Sequence, residues 1–176
     1  ERAEGIAFYG LNANKKTVLV TGGSLGAGSI NKAMVRWLEK IAGWKDVQVI
    51  WQCGSYYHKE LEEQLKGRMP ENVKFMPFLK RMDLAYACAD LVVARAGAGT
   101  ISELVPSPNV AEDHQTKNAM ALVNKQAAVM VKDAEVVERL GEVMERLLQD
   151  DGERKSLSEH ILTLAMKDSD EMIARE

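Results

Sequence analysis

Two glycine-rich stretches, each directly after an apolar run, carry the residues best suited to bind a ligand. The first is TGGSLGAGSIN (residues 21–31), which follows TVLV, and the second is AGAGTISEL (residues 96–104), which follows DLVVAR. Glycine lets backbone N–H groups approach an anion closely, and the start of a helix adds about half a positive charge. Each stretch therefore predicts a strand, a phosphate-binding turn and the start of a helix. Two such turns together could bind one diphosphate.

The glycine spacing of the first turn excludes some phosphate-binding loops and leaves one open. It lacks the GxxxxGK[ST] pattern of P-loop NTPases and also the GxGxxG pattern. Neither Tyr56 nor Tyr57 has a lysine four positions later, the pair that short-chain dehydrogenases use for proton transfer. The T-G-x-x-x-G-x-G turn of those enzymes is nevertheless matched, by Thr21, Gly22, Gly26 and Gly28. A nicotinamide-dinucleotide-binding oxidoreductase domain therefore remains an alternative, supported by this turn alone.

Strand-like and helix-like segments alternate along the chain, and this alternation must position the two turns. It predicts an α/β fold with a doubly wound, Rossmann-like parallel sheet that has helices on both faces. In such sheets ligands bind beyond the carboxyl ends of the strands, where both glycine turns lie. The predicted strands are residues 17–21, 47–52, 73–78, 90–95 and 127–132. The predicted helices are residues 27–41, 56–68, 82–89, 113–125 and 134–150.

Length and composition limit the class of protein further. With 176 residues, of which 46% are hydrophobic, the chain can bury one core, so we expect a single domain over residues 1–176. A net charge of −3 gives no attraction for nucleic acid, and no such partner is expected. No apolar run is long enough to span a bilayer, and Cys53 and Cys88 lack metal-ligand spacing. The segment is expected to be soluble and intracellular, with both thiols buried and reduced.

The second glycine stretch and the residues after it are typical of one enzyme family. ARAGAGTISEL followed by VPSPNVAEDHQTKNAMAL resembles the donor-binding domain of the MurG family of peptidoglycan glycosyltransferases. GGSLGA with the later IN resembles the first glycine turn of that family, and MPFLKRMDLAYACADLVVARAGAGT fits the segment between. The resemblance covers nearly the whole chain. It implies the C-terminal half of a GT-B glycosyltransferase.

The function that this resemblance implies belongs to peptidoglycan synthesis. The family transfers N-acetylglucosamine from UDP-N-acetylglucosamine (UDP-GlcNAc) to lipid I, giving lipid II, as a peripheral enzyme on the cytoplasmic side of the bacterial inner membrane. The chain is then the donor-binding half of an inverting hexosyltransferase of cell wall biogenesis, cell shape and cell division. A non-catalytic nucleotide-sugar binding module is a further alternative.

The resemblance also implies roles for individual residues. The expected contacts are Gly23 and Ser24 with the donor phosphates, the main chain of Leu79 with uracil, Ala98, Gly99 and Thr100 with the diphosphate, Glu103 with the ribose hydroxyls, and Gln115 with the sugar hydroxyls. Arg95 could face the pyrophosphate or only orient its loop, and the role of His114 stays open. Glu103, expected one helical turn after Thr100, has a second interpretation as an acid that complements the helix dipole.

No metal ion or cofactor is expected beside the donor substrate. The only Asp-x-Asp triplet is DSD (residues 168–170), near the C-terminus and away from both turns. Backbone N–H groups and helix starts are therefore expected to stabilise the departing UDP. No catalytic residue is expected in this chain, because the family's general base belongs to an N-terminal acceptor domain.

Two departures from the family pattern qualify these expectations. In that family an acceptor domain supplies the lipid I site and the membrane-binding patch, and we expect this chain to lack it and to be inactive alone. Between Leu104 and Val105 the family carries about ten further residues, as the long crossovers of parallel strands require. We expect the protein to contain these residues and the sequence as printed to leave them out. Their true deletion would remove a central strand and disrupt the core. Residues 152–176 are expected to form a C-terminal helical tail.

Overall fold

The chain forms a parallel sheet whose strand order reverses between its first and fourth strands. The computed structural model describes residues 1–23, 26–95, 103–105, 129–130 and 135–149. Within these ranges six strands lie in the order β3-β2-β1-β4-β5-β6, and every neighbouring pair is parallel. This confirms the predicted doubly wound α/β fold. The strands are β1 Lys16–Thr21, β2 Val47–Gln52, β3 Val73–Met76, β4 Leu91–Arg95, β5 Glu103–Val105 and β6 Val129–Met130.

Helices cover both faces of the sheet. The first and fourth helices pack together on one face, and the second and fifth pack together on the other. In chain order the described helices are α1 Arg2–Tyr9, α2 Gly28–Ala42, α3 Ser55–Gln64, α4 Met82–Cys88 and α5 Val136–Gln149. Within the described part of the chain, none of these helices combines the length and apolarity that a membrane span requires.

The central strands send apolar side chains to both faces, as a fully covered parallel sheet requires. In β1, Val18 and Val20 belong to the core beneath α2 and α5, whereas Leu19 belongs to the core beneath α1 and α4. All three side chains are completely buried. Full burial of such a side chain stabilises the fold by about 1.5–3 kcal/mol. The carboxyl end of β1 is therefore fixed from both sides.

Helix α5 packs closely across α2. A Cβ atom at Gly141 would overlap the ring of Trp37, and the Trp37 Nε1–H donates to the carbonyl oxygen of Val137 at 3.1 Å. The ion pairs Arg36–Glu138, at 2.9 Å, and Lys40–Glu145, at 3.0 Å, join the exposed flanks of the two helices. Exposed ion pairs of this kind add little stability, so the packing of α5 against α2 depends more on the close approach at Gly141.

Helix α1 is an element that the sequence pattern does not predict. Its buried residues are Gly5 and Tyr9, so it lacks the apolar stripe from which a helix is recognised. Its position depends on tertiary contacts instead. Arg2 donates to the carbonyl oxygen of Cys88 at 3.0 Å and pairs with Asp90 at 3.3 Å, and the Tyr9 hydroxyl donates to the carbonyl oxygen of Arg81 at 2.8 Å.

Strand β5 differs from what the second glycine turn predicts. The expectation of a helix reaching Glu103 is wrong, because Glu103–Val105 is a strand paired with β4 on one side and β6 on the other. Hydrogen bonding to both neighbours outweighs the local helical pattern here. Leu104 and Val105 are consecutive residues of this strand. The predicted helix at 113–125 and the tail at 152–176 lie outside the described residues.

We predict that Gly141→Ala destabilises the fold. Alanine favours a helix over glycine by about 1 kcal/mol, but forcing a methyl group against the Trp37 ring costs about 1–3 kcal/mol. Because Trp37 ring atoms lie 2.0–2.5 Å from the added methyl group, the cost is in the upper half of this range, and urea denaturation should show a net loss of about 1–2 kcal/mol. Glu142→Ala, at the exposed neighbouring position, is the control and should change stability by less than about 0.5 kcal/mol. A Gly141→Ala protein as stable as the control would contradict this packing.

Candidate functional site

Four strands, β1 to β4, end at one edge of the sheet, and the strand order reverses there between β1 and β4. Ligands of open α/β sheets bind at such a reversal, beyond the carboxyl ends of the strands. The described part of this edge comprises residues 22, 23, 26 and 27 of the glycine turn after β1, the residues after β2 and the segment after β3 (residues 77–79). These three segments form the candidate site.

The glycine turn has a backbone shape that its glycines make possible. Gly23 and Gly26 have φ angles of 86° and 100°, a region that side chains with a Cβ atom disfavour. The Gly26 N–H donates to the carbonyl oxygen of Gly23 at 3.1 Å and closes the turn. A Cβ atom at Gly26 would collide with the carbonyl oxygen of Cys53 and lie 2.9 Å from the Tyr57 ring. The turn is thus pressed directly onto the residues after β2.

The start of α2 presents a positive helix end with no acidic side chain to neutralise it. The N-cap residue is Ala27, which has no polar side chain, and the first turn contains no acid. α2 runs for 15 residues, long enough for its peptide dipoles to align over several turns. Such an end attracts an anion such as a phosphate.

Gln52, the last residue of β2, connects all three segments of the site. Its side chain is buried, and its Oε1 accepts a hydrogen bond from the Thr21 hydroxyl at the end of β1. Its amide nitrogen donates to the carbonyl oxygen of Gly23 at 2.6 Å and to that of Pro77 at 3.0 Å. The carbonyl of Gly23 is therefore directed into the protein, where it would not repel a bound anion.

Asn31 fixes the start of α2 against the end of β2. Its amide nitrogen donates to the carbonyl oxygen of Cys53 at 2.9 Å, and its Oδ1 accepts from the Trp51 Nε1–H at 3.0 Å. Asn31 and Trp51 are both buried. Breaking either bond would leave a buried polar group without its partner, which typically costs about 1–3 kcal/mol. The positive helix end is thereby held in a fixed position relative to the sheet edge.

Cys53 lies beneath the glycine turn without adding charge to it. Burial raises the pKa of the Cys53 thiol to about 11, so the side chain is neutral at physiological pH. A thiolate beside the turn would repel a phosphate. Cys53 and Cys88 are both buried and unpaired, which confirms the expectation for the two thiols.

Leu79 follows β3 at the side of the site away from β1. Its side chain is half-buried and packs against the core beneath α1 and α4, as expected for an apolar residue. The Cys53 N–H donates to the carbonyl oxygen of Met76 at 3.0 Å, which joins the start of this segment to the end of β2. The segment that contains Leu79 therefore begins beside the end of β2.

The remaining predicted residues are described only in part. Glu103 is the first residue of β5 and lies level with Val93, two residues before the carboxyl end of β4 at Arg95. Gly23 lies in the turn itself. The other predicted contacts, which fall outside the described residues, are Ser24, Ala98, Gly99, Thr100, His114 and Gln115. Across the described ranges, no three His, Cys, Asp or Glu side chains are grouped so that they could hold a metal ion.

The sequence interpretation missed Gln52 and Asn31. Gln52 is 29 residues from Gly23, and Asn31 is 22 residues from Cys53, so their partners are not visible in any local pattern. The signal available was a glutamine at the carboxyl end of a strand that is mostly apolar. A polar residue at that point indicates a buried bond to the loops beyond the strand.

Gly26→Ala should destabilise the protein. Alanine at a positive φ costs about 1–2 kcal/mol, and the collision with the Cys53 carbonyl adds to this, so we expect a total loss of about 2–4 kcal/mol in urea denaturation. The control is Gly43→Ala at the C-cap of α2, where φ is −80° and a Cβ atom would meet only the Lys40 carbonyl oxygen at 3.4 Å. Equal stability of the two variants would show that the turn does not have this shape.

Three comparisons with known proteins agree on one kind of enzyme domain. The family described as "Glycosyltransferase family 28 C-terminal domain" matches residues 17–173. Two curated relatives, from Bacteroides fragilis and Bacteroides thetaiotaomicron, are 50% and 47% identical over 187 aligned residues, which include 100% of this chain. Both are named UDP-N-acetylglucosamine--N-acetylmuramyl-(pentapeptide) pyrophosphoryl-undecaprenol N-acetylglucosamine transferase.

The chain spans about half the length of the curated relatives it matches, 49% and 50% respectively. The alignments have eleven more positions than this chain has residues. This difference is close to the number of residues expected between Leu104 and Val105. Among solved structures, MurG of Acinetobacter baumannii is 28% identical with a TM-score of 0.66, over 82% of this chain and 46% of that one.

Proposed function

The chain belongs to the family of glycosyltransferase family 28 C-terminal domains, and we propose that it is the UDP-GlcNAc-binding half of an N-acetylglucosaminyltransferase that converts lipid I to lipid II. The observation that carries the proposal is the 50% identity, over the whole chain, to a transferase of that name. The geometry at the carboxyl edge of the sheet supports it. An uncapped helix start and an inward-facing carbonyl at Gly23 suit a diphosphate.

The proposed role of this half is to hold the donor and stabilise its leaving group. Breaking the bond between sugar and phosphate leaves negative charge on UDP, and donors that already point at the diphosphate stabilise that charge without having to reorganise. The start of α2 and the turn at Gly23 supply this on the β1 side. Across the site we propose the following contacts: Ser24 with phosphate, Ala98, Gly99 and Thr100 with the diphosphate, Glu103 with ribose, Gln115 with the sugar, and the main chain of Leu79 with uracil. Arg95 and His114 are secondary candidates.

The complete enzyme is proposed to carry the rest of the reaction in its other half. That half would bind lipid I and supply the base that deprotonates the acceptor hydroxyl, at the cytoplasmic face of the inner membrane. The chain of 176 residues is then a donor-binding domain that is inactive alone. We further propose that no metal ion takes part, because the backbone groups at the turn supply the charge stabilisation.

Binding measurements on the 176-residue chain test the proposal. At a UDP concentration of 100 times Kd, binding stabilises the folded state by about 2.7 kcal/mol, so Tm should rise by roughly 5–10 °C. UDP-GlcNAc should act in the same way, and EDTA should not alter the shift. Glu103→Ala should remove most of the shift if its carboxylate binds the ribose.

NADH and the acceptor half of a relative provide the controls. Preferential stabilisation by NADH would favour an oxidoreductase domain and overturn the proposal. If UDP binds, transfer to a lipid I analogue should appear only when the acceptor half of a relative is added or fused. Binding without transfer in that assay would favour a non-catalytic module.

A further inference from the structure

The Gln52 side chain is hydrogen-bonded through its amide oxygen and through both of its amide protons. The Oε1 atom accepts from the Thr21 hydroxyl, and the two amide protons go to the carbonyl oxygens of Gly23, at 2.6 Å, and Pro77, at 3.0 Å. The side chain is only 2% exposed. Because an amide has two donor protons and each is used on a different loop, Gln52 joins the glycine turn to the segment after β3.

We propose that Gln52 is a positioning residue that sets the distance between the phosphate-binding and base-binding parts of the donor site. The inference rests on the proposed function, in which the turn at Gly23 faces the diphosphate and the main chain of Leu79 pairs with uracil. Gln52 acts through the carbonyls of Gly23 and Pro77 and does not itself contact the nucleotide. Pro77 is two residues before Leu79, so a bond to its carbonyl restrains the backbone that reads the base.

The effect on the phosphate side is electrostatic as well as geometric. The carbonyl oxygen of Gly23 accepts both from Gln52 and from the Gly26 N–H, at 3.1 Å. Two donors therefore hold this oxygen on the protein side of the turn. Without Gln52 the oxygen could turn outward, where its partial negative charge would oppose a phosphate. Among the described hydrogen bonds, no other side chain donates to both the turn and the segment after β3.

The same strand contains a matched glutamine at its opposite end. Gln48 is 5% exposed and is also bonded through both its oxygen and its nitrogen: its Oε1 accepts from the Asn12 N–H at 2.9 Å. Its amide nitrogen donates to the Asn12 carbonyl at 2.8 Å and to the Thr17 hydroxyl at 3.0 Å. Gln48 thus joins a loop to β1 at the amino edge, away from the donor site. The same substitution removes amide donation to backbone carbonyls at both positions, two such bonds at Gln52 and one at Gln48, but only Gln52 lies at the site.

The test compares Gln52→Glu with Gln48→Glu in the 176-residue chain. Each substitution keeps the size of the side chain and replaces the donating nitrogen by an oxygen. Both variants should lose thermal stability. Calorimetry well below both melting temperatures should then show a UDP affinity at least about tenfold weaker for Gln52→Glu, and within about twofold of wild type for Gln48→Glu.

A second readout separates positioning from general loosening of the fold. If Gln52 restrains the backbone that pairs with uracil, Gln52→Glu should also lose discrimination between UDP and CDP, with the ratio of the two affinities falling towards one. Gln48→Glu should keep the wild-type ratio. A Gln52→Glu protein with the affinity and the ratio of Gln48→Glu would overturn the inference.

The outcomes distinguish this inference from the proposed function. Failure of the wild-type chain to bind UDP would contradict the proposed function itself. Should Gln52→Glu not fold, the uncharged pair Gln52→Met and Gln48→Met replaces it, because methionine removes both donations without placing a charge against the carbonyls. The same difference in affinity and base discrimination is expected for that pair, and its absence would again overturn the inference.

Discussion

A parallel sheet brings the carboxyl ends of all its strands to one edge, and every loop that leaves this edge must satisfy its own polar groups there. In the described part of this protein the requirement is seen between β1 and β2, where the glycine turn is pressed onto the residues after β2. Buried side chains provide the hydrogen bonds that these loops need. Gln52 and Asn31 bond to carbonyl groups of the loops and thereby restrain them.

Among the residues that the structure describes, the backbone at the start of α2 provides the positive charge of the site. The chain as a whole carries a net charge of −3, which repels an anion at a distance. Close to the glycine turn, the unneutralised start of α2 and the inward-facing Gly23 carbonyl outweigh this effect over short range. The high pKa of Cys53 keeps a thiolate away from the same place. A site built in this way favours a small anion that enters the turn over a long polyanion that binds a broad surface.

Local sequence patterns were sufficient to predict the bounds of the helices and strands that bury a regular apolar face. β2 begins and ends where the alternation of strand and helix predicts, at Val47 and Gln52, and α2 is within one residue of its prediction at each end. α1 was missed because glycine and tyrosine are its buried residues. Glu103 was placed in a helix because the pairing of β5 with β4 and β6 is a property of the sheet and not of the segment. For the same reason the bonds of Gln52 and Asn31, which cross 20 to 30 residues, could not be read from either residue's neighbours.

The central claim is that a uridine diphosphate binds at the carboxyl edge of the sheet, against the glycine turn. Amide hydrogen exchange with and without saturating UDP tests it most directly, because it locates the contact. Bound UDP should slow exchange in peptides that cover residues 21–31 and leave residues 10–16 and 43–47, at the amino edge, unchanged. Unaltered exchange across residues 21–31 while UDP is bound, or protection confined to the amino edge, would contradict the account.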